Sequence, residues 1–203
     1  CTAAFKTTPR LELLEARLLL ASDFGDAPLP YPTTLAEGGA EHVTGGALML
    51  GATADSESDG THSAAADADG ADEDGVTFGT MMVGALDAQV TVNVQGSAPG
   101  GAKLDAWIDF NGDGSWGGPG EQIFSSHNVV VGDNVLTFDV PAGFAIAGTT
   151  YARFRVSTDG GSGGLGVGGA AADGEVEDYQ VTIENPAASS GVSCRRFGLS
   201  RWF

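Results

Sequence analysis

The sequence predicts an all-β protein, an antiparallel β-sandwich of Ig-like or jelly-roll-like type with long Gly/Asp-rich loops. Three observations predict it. Apolar residues recur at every second position in at least five short runs after residue 76, and the intervals between the runs are rich in Gly, Pro, Asn and Asp. No stretch after residue 22 keeps the period of a useful helix. Runs with a single apolar face need a second layer to bury it, and two sheets packed face to face supply one.

Residues 1–22 form a segment of their own. Leu11-Glu12-Leu13-Leu14-Glu15-Ala16-Arg17-Leu18-Leu19-Leu20 has helical spacing but carries charges inside its apolar run, so it is neither a membrane helix nor a complete signal peptide. It resembles the short N-terminal motif of extracellular proteins of the planctomycete type, which implies export. An amphipathic helix capping the domain is the alternative.

Residues 23–185 are expected to form one domain, which is room enough for a real core without disulfide support. Its first third, 23–75, is Gly, Ala, Asp and Ser with few large side chains, and reads as extended loop with one short strand around Leu48-Met49-Leu50. Such a stretch needs tethering, by a metal or by packing at a sheet edge. Beyond it, Val90, Val92 and Val94 alternate with polar neighbours. Leu104, Ala106, Ile108 and Phe110 alternate with Lys103, Asp105, Trp107 and Asp109. Leu136, Phe138 and Val140 follow, then Ala152, Phe154 and Val156, and Tyr179, Val181 and Ile183 close the series. Residues 186–203 are a linker and a basic, aromatic tail, either the start of another module or an artefact of the sequence. Cys1 and Cys194 fall in the two atypical ends and form no disulfide framework.

Charge narrows the partners. Between residues 21 and 190 there are 25 acidic residues against Lys103, Arg153 and Arg155, about −22. Such a body repels nucleic acid and anionic lipid and attracts cations. No apolar run approaches the roughly 20 residues of a membrane-spanning helix.

The sharpest chemical signal is Asp109-Phe110-Asn111-Gly112-Asp113-Gly114. Oxygen side chains at alternate positions, followed by a Gly that permits a tight turn, can wrap one hard cation, and Ca²⁺ is the expected ion. Ser115 holds the position that ligates through its backbone carbonyl. The twelfth residue, where a bidentate acid is expected, is Gly120, and the acid is Glu121, one place late. The expected metal ligands are Asp109, Asn111, Asp113, Ser115 and Glu121. The loop leaves one strand and leads toward another, unlike a helix–loop–helix hand; a solvated hairpin is the plain alternative.

A second acidic constellation is Gly174-Glu175-Val176-Glu177-Asp178-Tyr179. Alternation sends Glu175 and Glu177 to one face and Val176 and Asp178 to the other. Charges this dense need a cation, an Arg or open water, and Arg153 and Arg155 on another strand could form a cross-strand ladder with them. Metal and ion pairing both remain open on the sequence alone.

With this motif in view, the chain resembles the GEVED domain of bacterial extracellular and cell-surface proteins, named for residues 174–178. The likeness runs over about 23–184, through Asp23-Phe24-Gly25-Asp26-Ala27-Pro28, Asp72-Glu73-Asp74-Gly75-Val76, Trp107 to Gly114, Gly120-Glu121-Gln122 and Tyr151-Ala152-Arg153-Phe154-Arg155. The late Glu121 fits the family spacing. The resemblance implies a β-sandwich repeated in large surface proteins, and it supplies neither a known ligand nor catalytic residues.

Three enzyme-like signals fail. Gly160-Gly161-Ser162-Gly163-Gly164 leads into no helix, so no nucleophile elbow forms. Gly164-x-Gly166-x-x-Gly169 precedes Asp173 and Glu175, which would repel a pyrophosphate. His42, His62 and His127 are scattered, with His42 and His62 read as solvated loop imidazoles. The expectation is a non-catalytic, secreted or cell-surface, calcium-binding structural or adhesive module. The alternative is a carbohydrate-binding module that stacks Trp107 or Trp116 on a sugar, with Trp107 outside the core. Expected partners are calcium and, beyond it, a surface polysaccharide or another extracellular module.

Overall fold

A computed structural model describes residues 22–44, 47–68, 72–158 and 164–186. The N-terminal export-type pattern, both cysteines, the tail and most of the Gly160–Gly164 tract lie outside the described residues. Within them the chain is all-β, with one short 3₁₀ turn at Leu35–Glu37. The strands are β1 Ser22–Phe24, β2 Ala40–Val43, β3 Leu48–Leu50, β4 Val76–Phe78, β5 Met81–Met82, β6 Ala88–Gly96, β7 Ala102–Ile108, β8 Gln122–Val129, β9 Gly132–Phe138, β10 Gly148–Ser157, β11 Gly169–Ala171 and β12 Glu175–Glu184.

Two sheets make the sandwich. One has the order β5-β12-β10-β7-β8 and is antiparallel except for the short β5–β12 pairing. In the other, β3 and β4 follow one another along one edge of β6, and β9 runs along its far edge. The alternating residues meet between them: Val90, Val92, Val94, Leu48, Leu50 and Val76 from one side, Leu104, Ala106, Ile108, Phe154, Val156, Val181 and Ile183 from the other. Phe78 stands edge-on to both Phe154 and Tyr179, the arrangement aromatic quadrupoles favour.

A third layer was not visible in the periodicity. The strands β1, β2 and β11 form a small sheet, with β1–β2 antiparallel and β2–β11 parallel. With the loops around it, this sheet covers the outer face of the five-stranded sheet. That face therefore does not look to solvent, as a one-faced alternation would have it. Asp105, Trp107, Arg153, Arg155, Val176 and Asp178 lie on it and all are buried. The reading of 23–75 as loop with one strand is corrected accordingly: β3 is where it was expected, but β1 and β2 are strands as well.

Buried charge holds this layer in place. Register sets Arg153 directly opposite Asp178, and the pair is bidentate, with Nε and Nη2 donating to the two carboxylate oxygens at 2.7 and 2.6 Å. The remaining Arg153 bonds go to the Pro32 and Val167 carbonyls, and its guanidinium lies 4.5 Å from the Trp116 ring centroid. Arg155 donates to the carbonyls of Gly166, Gly168 and Gly169 and to His42 Nε2. His42 thus sits fully buried on β2, not in a solvated loop. Its Nδ1 donates to the Asp173 carbonyl, and burial, then the charge of Arg155, holds it well below the usual imidazole range.

Candidate metal centre

The loop Asp109–Glu121 springs from the end of β7 and returns into β8. Its base is clamped by the backbone: the Ile108 amide donates to the Glu121 carbonyl, the Asp109 amide to the Tyr151 carbonyl, and the Thr150 hydroxyl to the Asp109 carbonyl. Asp109 organises the interior. One carboxylate oxygen accepts the amides of Gly112 and Asp113, and the other accepts the Gly114 amide at 2.9 Å and the Tyr31 hydroxyl at 2.5 Å. Gly114 has φ +81°, and a Cβ there would come 2.6 Å from Pro30, so this turn accepts no other residue without rearrangement.

This folding draws three acids together. Carboxylate oxygens of Asp109, Asp113 and Glu121 lie within 4.8 Å of one another. Two oxygens on opposite sides of one Ca²⁺, each at about 2.3–2.6 Å, would be about 5 Å apart, so the spacing fits a single ion. Asn111 is interlocked with Asp113, accepting its amide at 2.8 Å and donating to its carboxylate at 3.0 Å. The Ser115 hydroxyl instead accepts the Gly117 amide. Glu121, although one place late in the loop count, is fully buried. Its Oε2 accepts the Gly118 amide at 2.7 Å, while Oε1 has no hydrogen-bond partner among the described residues. Burial, with the charges of Asp109 and Asp113, raises this carboxyl above its ordinary range.

The motif at 174–178 has a different task. Gly174 has φ +85°, and a Cβ would lie 1.8 Å from the Val156 carbonyl oxygen. Glu175 Oε2 accepts the Leu50 amide at 2.5 Å, and Glu177 accepts the amides of Asp74 and Gly75 and the Tyr179 hydroxyl. These amides lie where the chain leaves β3 and enters β4. The Val176 amide donates to Asp23, and Asp178 accepts from Arg153 and from the Ala27 amide. The arginine ladder is therefore half right: Arg153 pairs with Asp178, whereas Arg155 faces Val176, and the two glutamates point away from both, toward the sandwich seam. Burial is the main cause that lifts Glu175 to about 9 and Glu177 to about 8.

Two further expectations are corrected. Trp107 and Trp116 are 4 % and 2 % exposed, packed with Ala27 and Tyr31 beneath the third layer, so neither offers a ring face to a sugar. His62 is held by the chain instead of being solvated: its Nδ1 donates to the Ala27 carbonyl at 2.8 Å, and Nε2 meets Glu37 at 3.0 Å. The Thr33 hydroxyl lies 3.1 Å from Nδ1, but that nitrogen already carries the proton given to Ala27, so it has no lone pair with which to act as base.

No curated protein and no solved structure matches the chain. A family match covers a narrower stretch than the motifs span, starting in β7 and ending in β12, and takes in both the Asp109–Glu121 loop and the 174–178 motif. Residues 103–182 match the GEVED domain, the family whose motifs the sequence carries.

Proposed function

We propose that this chain is a non-catalytic, calcium-binding structural or adhesive module of a secreted or cell-surface protein, with the ion held by the Asp109–Glu121 loop. The observation that carries the reading is the buried Glu121 carboxylate, which lies in a 4.8 Å cluster with Asp109 and Asp113 and has one oxygen without a hydrogen-bond partner among the described residues. A buried carboxylate oxygen without a donor is costly, and a cation within its reach removes that cost. The all-oxygen donor set favours a hard ion, and a flexible glycine loop suits the irregular six- to eight-fold shell of Ca²⁺ better than the strict octahedron of Mg²⁺. In this reading Asp109, already saturated by amides and Tyr31, shapes the loop as much as it ligates. Asn111 and the Ser115 carbonyl complete the shell. A surface polysaccharide or a neighbouring extracellular module is the partner class that such a rigid acidic unit would serve.

Calorimetric titration with CaCl₂ at low salt tests the proposal. Wild type should bind with a dissociation constant of about 10⁻⁴–10⁻³ M, the range of extracellular modules. Asp113→Asn and Glu121→Gln should each weaken this by about tenfold or more. If both variants bind calcium as wild type does, the loop is an ordinary hairpin and the reading is wrong.

A further inference from the structure

We propose a second divalent-cation site, formed by Asp23, Asp55 and Asp72 beside Glu175, which pins the chain excursion between β3 and β4 to the edge of β12. It lies apart from the Asp109–Glu121 loop and uses none of its residues.

The topology creates the need for such a pin. The strands β3 and β4 occupy successive stretches of the same edge of β6, yet residues 51–75 intervene between them. This excursion is short of large apolar side chains, so it cannot hold itself down by burial. It meets β1 at a bridge in which the Glu57 amide donates to the Ser22 carbonyl at 2.8 Å, and further along the Ser63 and Ala68 amides donate to Asp26 and Tyr151 and Gln180 hold the Ala64 carbonyl. The bridge carries Asp55 toward Asp23, and the return of the chain toward β4 carries in Asp72. Carboxylate oxygens of Asp23, Asp55 and Asp72 then lie within 4.8 Å of one another, the spread expected for oxygens around one Ca²⁺.

A cluster of acids is not in itself a site, but here two buried oxygens independently require a partner. Asp23 and Glu175 are each only 1 % exposed. Each has one oxygen engaged, Asp23 with the Val176 amide at 2.7 Å and Glu175 with the Leu50 amide, and each has the other, Asp23 Oδ1 and Glu175 Oε1, without a hydrogen-bond partner among the described residues. Glu175 acts on Asp23 through its charge, and Asp72 acts on both. Arg155 adds its field at Asp23, but its N–H groups go to His42 and to the three glycine carbonyls already named. A divalent ion supplies the positive charge missing at both groups and coordinates the free Asp23 oxygen. Asp55 is exposed, so the ion has a way in from solvent.

Three of the four segments that would meet at this ion, β1, the outgoing arm at Asp55 and the returning arm at Asp72, precede the stretch matched to the family, and the fourth is the strand that bears the family motif. The cation would thus join the third layer and the excursion to the GEVED strand, so that occupancy stiffens the module.

The test counts ions in the full chain by calcium titration, with the first loop disabled by Asp113→Asn and Glu121→Gln so that the two sites fail separately. That background should still bind one Ca²⁺ per chain. Adding Asp55→Asn, an exposed change that leaves the buried groups untouched, should weaken the remaining event by about tenfold, and adding Asp72→Asn as well should abolish it. Hydrogen exchange on the loop-disabled chain supplies an independent readout: calcium should slow exchange at the amides of Leu50, Glu57 and Val176. No calcium bound by the loop-disabled chain, or binding that survives Asp55→Asn with Asp72→Asn, would overturn the proposal. So would binding that leaves those three amides unprotected.

Discussion

On the inner face of the five-stranded sheet, Leu104, Ile108, Phe154 and Val156 meet Val90, Val92 and Val94, with Glu175 and Glu177 beside them at the start of β12; on the outer face, Asp105, Arg153, Arg155 and Asp178 are buried just as completely under Asp23, His42 and Tyr31. The same three strands, β7, β10 and β12, carry both layers. The inner layer is held by area removed from water, which is non-directional and tolerates small changes in shape. The outer layer is held by directional bonds to charged groups, each of which must find its partner because an unpaired buried charge is severely destabilising. An apolar interface degrades by degrees, and a charged one fails as a unit.

The largest expected effect breaks the outer layer with a change that looks conservative. Arg153→Lys keeps the charge but loses the bidentate pairing to Asp178 and the fork that reaches Pro32 and Val167. Urea unfolding should show a loss of about 3–5 kcal/mol, because two or three buried acceptors lose their donor at about 1–3 kcal/mol each. Arg153→Met combined with Asp178→Leu should recover much of that loss, because neither charge is then left alone. A double variant as unstable as Arg153→Lys would mean that packing, not pairing, holds the layer.

A smaller effect of definite sign comes from His42. Its native pKa lies well below 6.5, so below that pH the unfolded chain binds a proton that the native state does not. Its contribution is complete above pH 6.5 and is lost as pH falls, at up to about 1.4 kcal/mol per pH unit. The raised carboxyls Asp23, Glu175 and Glu177 act in the opposite sense, so the readout is the difference between wild type and His42→Gln across pH 4–7. The variant should lack this acid slope. Equal slopes in the two proteins would show that His42 is charged in the fold.

The smallest effect sharpens the contrast from the inner side. Ile108→Val should cost only about 0.5–1.5 kcal/mol, the loss of one methylene group from a core that can partly relax. A loss as large as that of Arg153→Lys would erase the distinction between the two layers.

The same distinction explains what could be read from the sequence. The inner layer was legible because hydrophobic alternation records it directly, as at Val90, Val92 and Val94. The clustering of Asp109, Asp113 and Glu121 was legible because these acids are local, all within Asp109–Glu121. The outer layer left no comparable trace. Arg153, Asp178 and His42 look like solvated residues in one dimension, since their burial depends on partners more than 20 residues away. The strands β1, β2 and β11 are three or four residues long and too poor in apolar groups to show a period. Trp107 was misplaced for this reason: it does lie on the face opposite Ile108, but that face is covered. The acids at 23, 55 and 72 have no motif spacing at all; the bridge between Ser22 and Glu57 and the return of the chain toward β4 bring them together.

The central claim is that the Asp109–Glu121 loop binds calcium in the folded chain. The most direct measurement is thermal unfolding of wild type and Glu121→Gln at low salt, in chelator and in calcium at ten- to hundredfold above the dissociation constant. A single native-state site adds about 1.4–2.7 kcal/mol over that range. Wild type should therefore melt several degrees higher in calcium, and Glu121→Gln should lose the share of that rise that belongs to the loop. Identical melting of wild type in chelator and in millimolar calcium would contradict the account.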